Sequence, residues 1–158
     1  MEDMEQYKSK VKKNIENLIN SNNLKDAKKI IKEYEKLVDN DADIYSFEGV
    51  IAMVEGKLDV AEKILKEGIL IRPISLDLLY NLAHLYEMQE KYKEAYRYYD
   101  KAFIVANEQT KDHIKDKIAN LENIEEIKKY KSDEIDDIVT ERMMIKMKKQ
   151  IAELQVLS

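Results

Sequence analysis

The stretch EGKLDVAEKILKEGILIRP, residues 55–73, has a pattern that the chain repeats three times. Thirty-four residues earlier the chain has SNNLKDAKKIIKEYEKLVD, and thirty-four residues later it has QEKYKEAYRYYDKAFIVAN. When the copies are aligned on Ala27, Ala61 and Ala95, they need no insertion between residues 8 and 109. Self-similarity at one fixed period is the signature of a repeat protein.

Each copy contains two apolar stripes at helical spacing, separated by a short polar break. This pattern predicts two helices per copy. The predicted helices cover residues 5–21, 24–38, 42–55, 58–71, 76–89 and 92–106. The three aligned alanines, with Gly49 and Ala83, are expected where two helices cross closely, because a larger side chain would force the helices apart. A single helical hairpin cannot bury both of its faces, so we expect the copies to stack.

This pattern resembles the tetratricopeptide repeat, a 34-residue helix–turn–helix unit with small residues at its eighth, twentieth and twenty-seventh positions. The copies at residues 42–75 and 76–109 have small residues at all three positions. These residues are Gly49, Ala61 and Gly68, then Ala83, Ala95 and Ala102. The copy at residues 8–41 keeps only Ala27. The resemblance implies an all-α superhelical solenoid that serves as an interaction scaffold.

The 34-residue register ends at Asn107, and a different segment follows. Residues 110–130 predict a capping helix, since a repeat array must end with an element that is apolar inside and polar outside. We therefore expect a repeat domain over residues 1–130. Residues 132–158 predict a separate C-terminal helix for docking or oligomerisation, with Ser132 as its N-cap.

The apolar residues of this terminal helix do not share one face. Ile135, Ile138 and Val139 lie on one side, and a second set follows heptad-like spacing on another side. The second set comprises Met144, Met147, Ile151 and Leu154. Three arrangements are open: the helix folds back on its own array, it forms a homodimer contact through the second set, or it is a disordered or membrane-surface tail.

Composition argues against several classes of protein. The net charge of −5 does not suit nucleic-acid binding, which requires a clustered basic face. The chain has no cysteine, so it has neither disulfides nor thiolate metal sites. It has no apolar run of about 18 residues to span a membrane, and its N-terminus lacks the apolar core of a signal peptide. We expect a soluble cytoplasmic protein.

No catalytic motif is present in the chain. The two histidines, His84 and His113, have no second ligand at metal-binding spacing. Neither a Gly-rich phosphate loop nor a nucleophile elbow occurs. We therefore expect a non-enzyme without catalytic residues, cofactor or metal.

The resemblance to the repeat family implies that ligands bind in a concave groove lined by the first helix of each copy. The family's ligand-contacting positions correspond here to a groove with an apolar centre and an acidic border. They are Asp43, Ser46, Val50, Met53, Val54, Asp77, Tyr80, Asn81, His84, Glu87 and Met88. Such a groove suits a peptide or amphipathic helix with a basic polar face. Whether Met53 and Met88 belong to this groove or to the core is left open. The expected function is a non-catalytic scaffold that binds a protein or peptide.

Two other functions are open. The segments DIYSFEGVIAMVEGKLDVAEKILKEGI and LLYNLAHLYE are loosely similar to repeat segments attached to bacterial glycosyltransferases. The high Ile, Lys and Asn content fits a low-GC bacterium. This resemblance implies an accessory module of a glycosyltransferase system. A homo-oligomer whose function is assembly, through the C-terminal helix, is the other alternative.

Overall fold

The computed structural model describes residues 2–157, and within that range every regular element is an α-helix. The all-α class is therefore confirmed. The helices are α1 Met4–Asn20, α2 Leu24–Glu35, α3 Ala42–Val54, α4 Leu58–Ile71, α5 Leu76–Met88, α6 Tyr92–Val105, α7 Glu108–Glu122, α8 Glu125–Asp133 and α9 Ile135–Leu157. The chain divides into two compact units, one ending at Ile71 and the other beginning at Arg72.

The same turn joins the two helices of each hairpin. Asn22, Gly56 and Glu90 occupy equivalent positions in the three copies, and their φ angles are 59°, 75° and 58°. The backbone N–H of the residue that follows each of them donates to the carbonyl five residues earlier, as from Lys57 to Ala52 at 2.8 Å. This is the Schellman motif, which satisfies carbonyl groups at the end of a helix. The backbone conformation of the turn therefore recurs every 34 residues, as the sequence pattern does.

Small residues allow the helices of a hairpin to approach each other closely. A Cβ atom on Gly49 would lie 2.4 Å from Cδ2 of Leu65, whose side chain is fully buried. Ala27, Ala61 and Ala95 are fully buried as well. The predicted close packing at these positions is confirmed.

The first hairpin fills its core with larger side chains. Ile15 and Tyr34, which replace small residues of the repeat pattern, are both fully buried. The Tyr34 ring stacks on Tyr7 with centroids 6.2 Å apart. Its hydroxyl donates to an Asp41 carboxylate oxygen at 2.6 Å. The unusual residues of the first copy are therefore structural.

Helix α6 is the centre of the second unit. It pairs with α5 in the third hairpin, and α7, α8 and α9 also pack against it. Tyr96 of α6 is buried and meets Tyr130 of α8 edge-on, with ring centroids 6.0 Å apart. The third hairpin is thus covered by three further helices.

The segment after the repeats differs from the prediction in two ways. The expected single cap over residues 110–130 is two helices, because the chain turns at Asn123 and Ile124 has an extended backbone, with ψ of 131°. Ser132 lies inside α8 and is not an N-cap. The turn allows α8 to bury Ile127 and Tyr130, which a straight continuation of α7 would place elsewhere.

Candidate functional site

In the first unit, the predicted groove residues lie along α3. Ser46 is 5% exposed, so it contributes little to the accessible surface of this helix. Val50 and Met53 are half-buried, and Val54 is 55% exposed. Met53 therefore contributes to both packing and surface. We call Asp43, Val50, Met53 and Val54 the α3 surface.

The acid on the α3 surface is already paired. The Lys12 ammonium lies 2.8 Å from a carboxylate oxygen of Asp43 and 2.8 Å from one of Asp41. Although burial alone would lower the pKa of Lys12, its hydrogen bonds to these two acids raise it. Burial alone would raise the pKa of Asp41, but hydrogen bonds from Lys12 and Tyr34 lower it. Lys12 and Asp41 are therefore charged at neutral pH, and the positive charge of Lys12 offsets part of the local negative charge.

In the second unit, residues predicted from α5 meet side chains of α6 and α7. The Tyr80 hydroxyl lies 2.8 Å from Nε2 of His113. The Tyr99 hydroxyl donates to Glu87 at 2.6 Å, and the Lys117 ammonium lies 3.7 Å from the same carboxylate. The Tyr80 and Tyr99 rings meet edge-on, with centroids 5.6 Å apart. We call Tyr80, His84, Glu87, Met88, His113 and Lys117 the α5 surface.

His84 holds the one unsatisfied nitrogen of this cluster. Its Nδ1 atom is buried and has no hydrogen-bond partner in the described part of the chain, and it lies 4.0 Å from Glu87. Burial and the nearby Lys117 charge lower the pKa of His84. The imidazole is therefore neutral at pH 7 and can offer a ligand either a hydrogen-bond donor or an acceptor.

The other residues predicted on α5 differ in exposure. Met88 is 49% exposed and therefore belongs to the surface. Asp77 is exposed and Asn81 is half-buried, and both already interact with other residues. The sequence reasoning missed the contributions of His113 and Lys117. A shift of α5 by one further 34-residue period gives residues 110–122, which is the position of α7. The repeat period alone could therefore have predicted that α7 lies next to α5.

An apolar cavity of the first unit lies away from the α3 surface. It lies between α2, α3 and α4 and has a volume of about 370 Å³. Its apolar lining includes Ile31, Ile51, Val60 and Ile64. Glu48 lines it too, and burial followed by a hydrogen bond with Glu35 raises the pKa of Glu48 to about 7. This acid pair therefore retains a proton at mildly acidic pH.

Helix α9 is docked on its own unit through one face. Ile138 and Ile145 are buried, and α9 packs against α6. Arg97 of α6 binds Glu141, and Arg142 binds Asp100 at 2.8 Å. Ile135 and Val139, predicted on the same side of the helix as Ile138, are 47% and 44% exposed. Docking therefore combines a small apolar contact with charged pairs.

The opposite face of α9 is apolar and exposed. Each of its large side chains is more than half exposed. They are Met143, Met144, Met147, Ile151 and Leu154, which we call the α9 stripe. Four of them were expected as an oligomer contact, and Met143 extends the set. Helix α9 is thus docked through one face and leaves its apolar face exposed.

The described residues contain neither a group of side chains that fits a metal ion nor a helix that fits a bilayer. Between residues 2 and 157, no three His, Asp or Glu side chains are grouped to hold a metal ion. In the same range, no helix has the length and apolar character needed to cross a membrane.

Comparison with protein-family models, curated proteins and solved structures gives no significant match. Both family resemblances, to the tetratricopeptide repeat and to glycosyltransferase-attached segments, therefore stay predictions from the sequence.

Proposed function

We propose that this chain is a non-catalytic interaction scaffold of the tetratricopeptide type, which binds a peptide or helix on its α3 and α5 surfaces. The superhelical stacking typical of that family is part of the proposal. We extend it to a bacterial source, based on the high Ile, Lys and Asn content. A cytoplasmic location is part of the proposal too, because the chain has no cysteine and cytosolic proteins rarely depend on disulfides.

The observation that carries the proposal is a pair of equivalent apolar side chains. Val54 and Met88 lie one 34-residue period apart and end the first helix of their hairpins. They are 55% and 49% exposed. Each unit therefore presents an apolar side chain at the same repeat position, which suits apolar anchors of a peptide or helix.

The polar groups around these anchors refine the expected ligand. Lys12 pairs with Asp43, and Lys117 lies near Glu87, so the acidic border is partly neutralised. A strongly basic ligand is therefore not required. The ligand we propose therefore combines an apolar face with uncharged polar groups.

The test is selection of helical peptides from a phage-displayed library against the full chain, followed by fluorescence anisotropy with the best peptide. Val54→Ser and Met88→Ser should each weaken binding by about tenfold, the effect of losing about 1.4 kcal/mol at an interface anchor. Leu70→Ser is the matched control, because Leu70 is an exposed apolar residue of α4 outside the α3 surface.

Two results would contradict the proposal. One is a selection that yields no peptide with micromolar affinity. The other is a peptide whose affinity is unchanged by Val54→Ser and Met88→Ser, or is reduced equally by Leu70→Ser.

A further inference from the structure

We propose that two copies of this chain associate through their α9 stripes. The inference does not depend on the peptide-binding function, because the stripe belongs to neither the α3 surface nor the α5 surface. It rests on the exposure of the stripe, its area and its heptad-like spacing.

The stripe exposes more apolar surface than isolated surface residues usually do. Met143 is 59% exposed, Met147 57% and Leu154 66%. Contiguous apolar patches of several hundred Å² on soluble proteins commonly mark interaction sites. Five such side chains from each copy would remove on the order of 1,000 Å² from water, which is the low end for specific interfaces. We therefore expect a dissociation constant in the micromolar range.

The spacing of the stripe allows a second stripe to pack against it. Met144, Met147, Ile151 and Leu154 are spaced three, four and three residues apart, as in the seam of a coiled coil. In an antiparallel pair centred near residue 149, Met147 lies opposite Ile151 of the second copy. Met144 then lies opposite Leu154 of the second copy. Every seam position meets an apolar side chain.

The charged residues of α9 do not interrupt the stripe. With Met144 at position a and Met147 at position d of the heptad, Lys146 and Glu153 both fall at position c, which does not border the seam. Both line a cavity between α9, α6 and α7. Lys148 falls at position e, beside the seam, and is exposed. The stripe from Met144 to Leu154 is therefore continuous.

The first experiment is sedimentation equilibrium of the full chain across the micromolar range. We expect a monomer–dimer equilibrium, and Met147→Glu or Ile151→Glu should raise the dissociation constant by at least about thirtyfold, as for central interface residues. Val156→Glu is the matched control, since Val156 is 86% exposed on the same helix but outside the stripe. Circular dichroism should show unchanged helicity for all three variants, because the substituted side chains are exposed.

A second control tests whether the effect is confined to the seam. Lys146→Glu changes an exposed side chain of the same helix outside the seam, so it should leave the dissociation constant unchanged. A wild-type chain that stays monomeric at the highest concentration would overturn the proposal. So would a dimer insensitive to Ile151→Glu, or one weakened by Lys146→Glu as strongly as by Ile151→Glu.

Discussion

The contact between Gly49 and Leu65 gives a sharp test of how the hairpins are packed. The substitution is Gly49→Ala. A methyl group there would lie 2.4 Å from Cδ2 and 2.7 Å from Cγ of Leu65, while carbon atoms at rest are about 3.5–4.0 Å apart. Because Leu65 is fully buried, the overlap can be relieved only by shifting α3 or by moving Leu65 out of its packed position.

Two opposing effects set the size of the change. Overpacking of a core typically costs about 1–3 kcal/mol, and this overlap exceeds 1 Å, so the cost should lie in the upper half of that range. Alanine in a helix interior gains about 1 kcal/mol over glycine. We therefore expect Gly49→Ala to lower the free energy of unfolding by about 1–2 kcal/mol, measured by urea denaturation with far-UV circular dichroism.

A double-mutant cycle identifies the cause. Leu65→Ala alone should cost about 2–5 kcal/mol because it leaves a cavity. In that background the methyl group of Gly49→Ala has room, so the double variant should be more stable than the sum of the single effects by about 1 kcal/mol or more. A Gly49→Ala variant as stable as the wild type, or a cycle that is additive, would refute the close approach of these helices.

Two further predictions follow from the turns and from the acid pair. Gly56→Ala should cost about 1 kcal/mol, because the φ of 75° disfavours an L side chain and no neighbouring atom contributes a clash. Glu90→Gly, at the equivalent position with φ of 58°, should not destabilise the chain. Thermal unfolding of the two variants measures both effects. A loss of stability in Glu90→Gly would contradict the explanation from backbone conformation. Glu48 has its pKa raised to about 7 by burial and the Glu35 hydrogen bond, so the fold prefers its protonated form and stability should fall as the pH rises from 4.5 through 7. Glu48→Gln should remove this pH dependence and stabilise the chain at pH 8 by on the order of 1 kcal/mol. The measurement is a series of urea denaturations at different pH values. The prediction is contradicted if the free energy of unfolding of the variant and of the wild type changes equally with pH.

The helices of the repeats could be predicted from the sequence because the same pattern of apolar residues occurs three times. The predicted helix 58–71 is found as Leu58–Ile71, and 24–38 differs from Leu24–Glu35 only at its end. The turn after residue 123 was missed because no glycine or proline marks it. Its cause is tertiary: Ile127 and Tyr130 are buried in the second unit, which outweighs the local preference for one long helix.

The surfaces were less predictable than the helices. Ser46 and Tyr80 occupy the same repeat position, but Ser46 is buried while Tyr80 is half-buried, since a serine side chain is too short to reach past its neighbours. Repeat position fixes the direction of a side chain and not its length. The pairing of Glu87 with Tyr99 and Lys117 also escaped prediction, because those partners come from different helices.

Each unit also contains its own optical reporter. The chain has ten tyrosines and no tryptophan, so tyrosine emission is not lost by energy transfer to an indole ring. Tyr34 donates to Asp41 in the first unit, and Tyr99 donates to Glu87 in the second. A phenol bound to a carboxylate is quenched because the excited phenol gives up its proton readily, so melting of either unit should brighten its tyrosine. Replacing one of these two tyrosines with phenylalanine removes its share of the fluorescence increase, so comparison with the unchanged chain assigns that share to one unit.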